Sequence, residues 1–218
     1  MKIRFTKIKQ RKSLTLWSWL VVVVCIATIA LLWMKTIHNF LAVNKPLEAH
    51  IWIIEGYVPD FVLIDLASEA KRNSELLLIC AGLPIKKKTF CDPYDNDADY
   101  NAAALRYFGA DSLQIISAPA SFFDKERTYT TALTAREKLR EKGYTSGNIN
   151  IVCLGTHARR SWDLYRKAFK KDWNVGVITY RNNMYVPELW WHNSEGTRDV
   201  VYEMFAYLYC VLFFHPSN

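Results

Sequence analysis

Twenty-one consecutive residues, Leu14 to Met34, carry no charge, and this stretch limits the fold more sharply than any other feature of the sequence. As a helix rising about 1.5 Å per residue it spans about 30 Å, the thickness of a bilayer's hydrocarbon core. Trp17 and Trp19 stand near one end and Trp33 near the other, where interfacial aromatics sit. Lys2, Arg4, Lys7, Lys9, Arg11 and Lys12 precede the stretch and Lys35 follows it, with no acidic residue among them. That asymmetry predicts a cytoplasmic N-terminus. The alternative is a cleaved signal peptide. Its apolar run would be only about 7 to 15 residues long and would end at a small-x-small site, which Trp33-Met34-Lys35 is not.

The net charge of +7 lies entirely in those seven residues, leaving 21 basic residues against 21 acidic ones elsewhere. A formally neutral globular part lacks the basic footprint of a nucleic-acid binder. A composition 51% hydrophobic and 22% charged excludes a disordered chain. The expected organisation is a basic cytoplasmic segment over residues 1–13, a single-pass anchor over 14–34, a linker over 35–46 and one extracytoplasmic domain over 47–218. The bilayer of the cytoplasmic membrane is the expected partner. Cys25 falls inside the anchor, and Cys80 and Cys153 fall in apolar runs where cysteine acts as a small hydrophobe. No C-x-x-C pair joins these to Cys91 or Cys210, so neither zinc nor a thioredoxin-type site is indicated.

Beyond residue 46, short apolar runs alternate with helical patterns. Residues 49–55, 76–81, 113–118, 150–154 and 175–180 read as strands. Helices are expected from Pro59 to about Arg72, near 99–108, over 130–142, over 157–169 and over 194–214. The first two strands lack strict alternation, as strands buried on both faces do. Ala158, Trp162, Tyr165 and Phe169 form one apolar helical face. The predicted fold class is α/β: a three-layer Rossmann-like domain with a mainly parallel sheet of about five strands. The last helix is very apolar over Val200 to Phe214 but short for a membrane span, which suggests a buried or membrane-facing element. Trp190 and Trp191 read as a lid over the core.

In such a sheet, ligands bind beyond the carboxyl ends of the strands. G-T-H-A-R-R-S, Gly155 to Ser161, lies at one such strand-to-helix turn. The helix N-terminus favours an anion there, and two arginines and a histidine add charge-assisted donors. Alternatively, Arg159 and Arg160 are solvated or paired with acidic neighbours. His157 and Glu55 are the candidate catalytic residues, as acid or base. Candidate ligand-binding residues are Gly56, Gly82, Arg127, Thr128, Thr131, Thr156, Arg159 and Arg160. Asp92, Asp95, Asp97 and Asp99 are spaced like a calcium loop, but Tyr100 and Arg106 stand where glycine and glutamate are needed, so capping and solvation are expected. No metal site is assigned and the cofactor requirement is open. G-x-S-x-G, P-loop and G-x-G-x-x-G motifs are absent.

I-I-E-G at Ile53 to Gly56, the strand ending at Gly82, R-T-Y-T-T-A at Arg127 to Ala132, T-H-A-R-R-S at Thr156 to Ser161 and Glu203 together resemble the ElyC/SanA/YdcF family of bacterial envelope proteins. The resemblance covers roughly residues 49–203. It implies a Rossmann-like domain, often behind an N-terminal anchor, with a role in envelope or peptidoglycan assembly in the periplasm. From the anion-favouring turn and the anchor, and not from the resemblance, the expected ligand is a lipid-linked phosphate or a nucleotide-like molecule. The expected activity is that of a hydrolase or transferase, or else of a non-catalytic regulatory or scaffold module.

Overall fold

The computed structural model describes residues 14–56, 58–73, 75–85, 93–110, 113–121 and 126–216. The chain forms two compact units, Met1–Ile37 and His38–Asn218. The first helix, α1 (Leu16–Leu41), is long and apolar enough to cross a membrane, as an anchor or as a signal sequence. It runs without a break through residues 35–41, so its last turn belongs to the second unit.

The second unit carries five strands: β1 (Ile51–Ile54), β2 (Leu77–Gly82), β3 (Gln114–Pro119), β4 (Gly147–Leu154) and β5 (Trp173–Tyr180). They pair in the order β3-β2-β1-β4-β5, all parallel. The helices are α2 (Asp60–Ala70), α3 (Asp97–Leu105), α4 (Arg127–Glu141), α5 (Ala158–Phe169) and α6 (Ser194–Leu212). This is the expected Rossmann-like architecture, with the strand order reversing between β1 and β4.

Alternate residues of each strand feed two cores. Ile53, Ile79 and Ile151 pack with Ala132, Ala135, Tyr165 and Phe169 of α4 and α5. Ile54, Leu78, Cys80 and Val152 pack with Val62, Leu63, Leu66 and Leu105 of α2 and α3. Helices on both faces explain why the strand sequences are apolar throughout. The outer edge of β5 is covered by Lys45, which exchanges two 2.9 Å backbone hydrogen bonds with Val177. Asn150 fixes the same segment through both the N–H and the C=O of Leu47 at 2.8 Å. Gly176 permits that approach, since a Cβ there would lie 2.8 Å from the Leu47 nitrogen.

Several boundaries differ from expectation. The helix placed at 130–142 begins at Arg127, so the hydroxyl-rich run is its first turn and not a loop before it. The helix placed at 99–108 begins at Asp97 and is capped by Asn96, whose side chain accepts from Asp99 N at 2.8 Å. Asp99 accepts from Ser117 and Asn96 instead of standing in solvent. Asp92 and Cys91 lie outside the described residues. Trp190 is buried and meets Trp191 edge to face.

Candidate active site

β1 ends just before Glu55, and β4 is followed by a single 3-10 turn, Gly155–His157, before α5 begins. These two neighbouring strands flank the switch point, where the helices after them leave on opposite faces and open a crevice. A cavity of about 640 Å³ occupies that crevice. Glu55, Gly56, Arg127, Thr128, Thr131, His157 and Arg160 line it, so seven of the ten predicted site residues converge.

His157 is the centre of the cluster. Its Nδ1 lies 3.0 Å from Glu203 Oε1 and its Nε2 lies 3.4 Å from Glu55 Oε2. Burial alone would make the imidazole harder to protonate, but the two carboxylates outweigh it and hold its pKa above the ordinary value. Arg160 grips Glu203 with both arms of its fork, Nε to Oε2 at 2.8 Å and Nη2 to Oε1 at 2.9 Å. The 2.9 Å approach of Arg160 Nη2 to His157 Nδ1 is then two donors converging on one carboxylate oxygen. Burial would raise the carboxyl pKa of Glu203, but His157 and Arg160 pull it down to about 2. Glu203 is therefore an anion that fixes the ring and sustains its charge.

Glu55 is held from behind. Its Oε2 accepts from Ser161 Oγ at 2.8 Å and from Cys153 Sγ at 3.2 Å. Burial, and Glu55 beside it, push the Cys153 thiol well above its ordinary range, so it is a donor here and no nucleophile. Asn101, fully buried on α3, donates to the Glu55 and Gly56 carbonyls at 3.1 and 2.6 Å and so fixes the β1 exit. Across the cavity, burial raises the Asp97 carboxyl and Arg127 opposes that shift. Thr131 donates to the Thr128 carbonyl at 2.9 Å, and the Thr128 side chain lines the cavity. Glu126, at the rim, holds a left-handed backbone (φ 51°) that only its surroundings can sustain.

Three predicted residues do not line the cavity. Arg159 turns away, donating to the Phe40 carbonyl at 2.9 Å with its guanidinium 4.3 Å from the Phe40 ring centre. The structure thus places this cation in packing against Phe40 and outside the cavity. Thr156 is fully buried behind the turn. Gly82 is a packing glycine, since a Cβ would stand 2.3 Å from Ala98 N at the start of α3. Sequence reasoning missed Ser161, Cys153, Asn101, Asp97 and Glu126 as members of the site. Ser161 had a signal, lying one turn beyond His157 on the same helix face. No known protein family, curated protein or solved structure matches the chain.

Proposed function

We propose that the chain is a membrane-anchored envelope protein that binds or processes an anionic, phosphate-bearing precursor of the envelope or its peptidoglycan. In this reading α1 holds it in a cytoplasmic membrane, with the basic segment inside and the α/β domain on the outer face, as the positive charges before Leu14 favour. The observation that carries the reading is His157, clamped at both ring nitrogens by Glu203 and Glu55 in a cavity shared with two guanidinium groups. A ring kept charged in this way can donate a proton to a leaving oxygen. Arg127 and Nη1 of Arg160, which bonds no described residue, balance phosphate charge, and the Thr128 hydroxyl adds a donor. Glu55 then accepts a proton from the attacking hydroxyl or water, so a P–O bond forms as another breaks. Tyr202, Phe205 and Tyr209 give the cavity one apolar wall, suited to the lipid part of such a ligand. The sequence resemblance to the ElyC/SanA/YdcF family points the same way.

The test uses the full chain in detergent micelles, melted with inorganic phosphate and with a short polyprenyl phosphate. A ligand at a hundred times its Kd stabilises the native state by about 2.7 kcal/mol. The shift is expected in wild type and lost in Arg127→Ala, a substitution that removes no described ion pair. No shift with either ligand below pH 6.5, where the raised pKa keeps the imidazole charged, sinks the reading.

One observation favours the second reading, a non-catalytic module of envelope assembly. Five carboxylates line the cavity (Glu55, Asp97, Glu126, Asp199 and Glu203) against Arg127, Arg160 and His157. An anion enters such a site only while the histidine is charged. If His157→Gln restores an envelope defect as well as wild type does, the module reading replaces the catalytic one.

A further inference from the structure

The outer face of α6 has no partner within the described residues. Phe205, Leu208, Tyr209, Val211, Leu212 and Phe213 are between 43% and 71% exposed. From Met204 to Phe214 the helix and its end carry no charge. An apolar patch of this kind on a folded domain marks a surface that something covers.

Two observations identify the cover. The first is the path of the chain. Phe40, in the last turn of α1, meets Tyr207 of α6 edge to face at 5.6 Å. Phe40 lies six positions along the helix from Met34, where the charge-free stretch ends, a rise of about 9 Å. Phe40 thus ties α6 to the first residues of the second unit. The second is charge. A groove of about 1190 Å³ runs along the other flank of α6, and Arg166, Lys167, Lys170 and Lys171 line it beside Val211 and Phe214. Its one acidic residue, Asp163, is 3.7 Å from Arg166. Lys167 donates to the Cys210 and Phe214 carbonyls, which fixes the basic side against the helix end. An apolar helix face rimmed by lysine and arginine fits the headgroup boundary of an anionic bilayer.

We infer that the exposed face of α6 rests on an anionic lipid surface, with the basic cluster at the end of α5 and in the turn after it over the headgroups. The inference rests on the anchor reading of α1 and is independent of any phosphate chemistry at His157. It also gives α6 a second task, because Tyr202, Phe205 and Tyr209, at the edge of that face, wall the cavity. A ligand with an acyl or prenyl tail would reach the cavity along this helix without leaving the bilayer.

The experiment places photoreactive benzoylphenylalanine at position 205 or 212 of the full chain, in nanodiscs of mixed phosphatidylglycerol and phosphatidylethanolamine. Position 23 reports the anchor and position 107, on a different surface, is the negative control. Phospholipid adducts are expected at 205 and 212 in about tenfold excess over 107. Lys170→Ala and Lys171→Ala should each lower that yield about fivefold. Adducts at 23 but not at 205 or 212 overturn the inference and leave the anchor standing. Adducts at none of the three remove the anchor reading and the inference together. A covalent dimer from 205 or 212 in place of a lipid adduct assigns the face to a second copy and also overturns it.

Discussion

Glu203 is 5% exposed, yet it carries a full charge because Arg160 and His157 converge on it. Removing one member of a buried ion pair costs more than the pair is worth, because the remaining charge stays desolvated. Glu203→Gln keeps the volume and removes the anion. It should destabilise the domain by about 3 kcal/mol, read from urea unfolding. A loss below about 1 kcal/mol would mean the cluster behaves like a surface pair. The same residues set the pH dependence of stability. The pKa of Glu203 falls from 4.5 in the unfolded chain to about 2 in the folded one. Its contribution is therefore present above pH 4.5 and disappears as pH drops toward 2, about 3 kcal/mol in all. His157 works in the opposite direction, since its folded pKa is raised. Its contribution is complete below its ordinary value of 6.5 and is lost as pH rises through the folded value. The Glu203–His157 attraction appears on both limbs and is counted once. Stability should therefore be greatest between about pH 4.5 and 6.5 and fall on both sides. In Glu203→Gln both limbs should flatten. A stability profile above pH 6.5 that is the same in wild type and Glu203→Gln would show that His157 is neutral in the fold.

At the scale of elements, the site depends on how α3 meets the sheet. Asn101 holds the carbonyls where β1 ends, and Gly82 lets the first turn of α3 approach the end of β2. Gly82→Ala would drive a methyl group into Ala98 N and Asp97, backbone that cannot yield without moving α3. The expected cost is about 2 to 3 kcal/mol. Because Asp97 lines the cavity, ligand affinity should fall with it, as a thermal melt with and without ligand would show. An unchanged melting temperature would place slack at this contact. The strands, the helices and the carboxyl-edge location were legible in the sequence because hydrophobic periodicity reports which faces are buried. What was not legible is which of two adjacent side chains points where. Arg159 and Arg160 differ by about 100° around α5, so one packs on Phe40 while the other pairs with Glu203. Gly82 shows the same limit, since a glycine after a strand reads alike whether it meets a ligand or a helix. Ser161 and Cys153 bond to Glu55 across more than ninety positions of sequence, and no local pattern encodes such a contact.

The whole molecule combines an apolar helix behind six basic residues with a domain of balanced charge. The two features predict one topology. Basic residues near a span stay on the cytoplasmic side, while a neutral domain meets no comparable electrostatic barrier to crossing. If α1 is retained as an anchor, alkaline carbonate should leave the full chain in the membrane pellet. A protease added to the outer face of intact spheroplasts should then remove the domain and leave a protected fragment of a few kilodaltons containing the basic segment. Reversing the charge bias tests the cause. Replacing Arg4, Lys7, Lys9 and Arg11 with glutamine while adding lysines after Lys35 should shift part of the population to the opposite orientation, with the domain protected until the membrane is broken. Release of the wild-type domain into the soluble fraction without protease would mean that α1 is cleaved as a signal sequence. Protection of the wild-type domain in intact spheroplasts would instead put the cavity on the cytoplasmic side, where the available phosphate-bearing ligands are different.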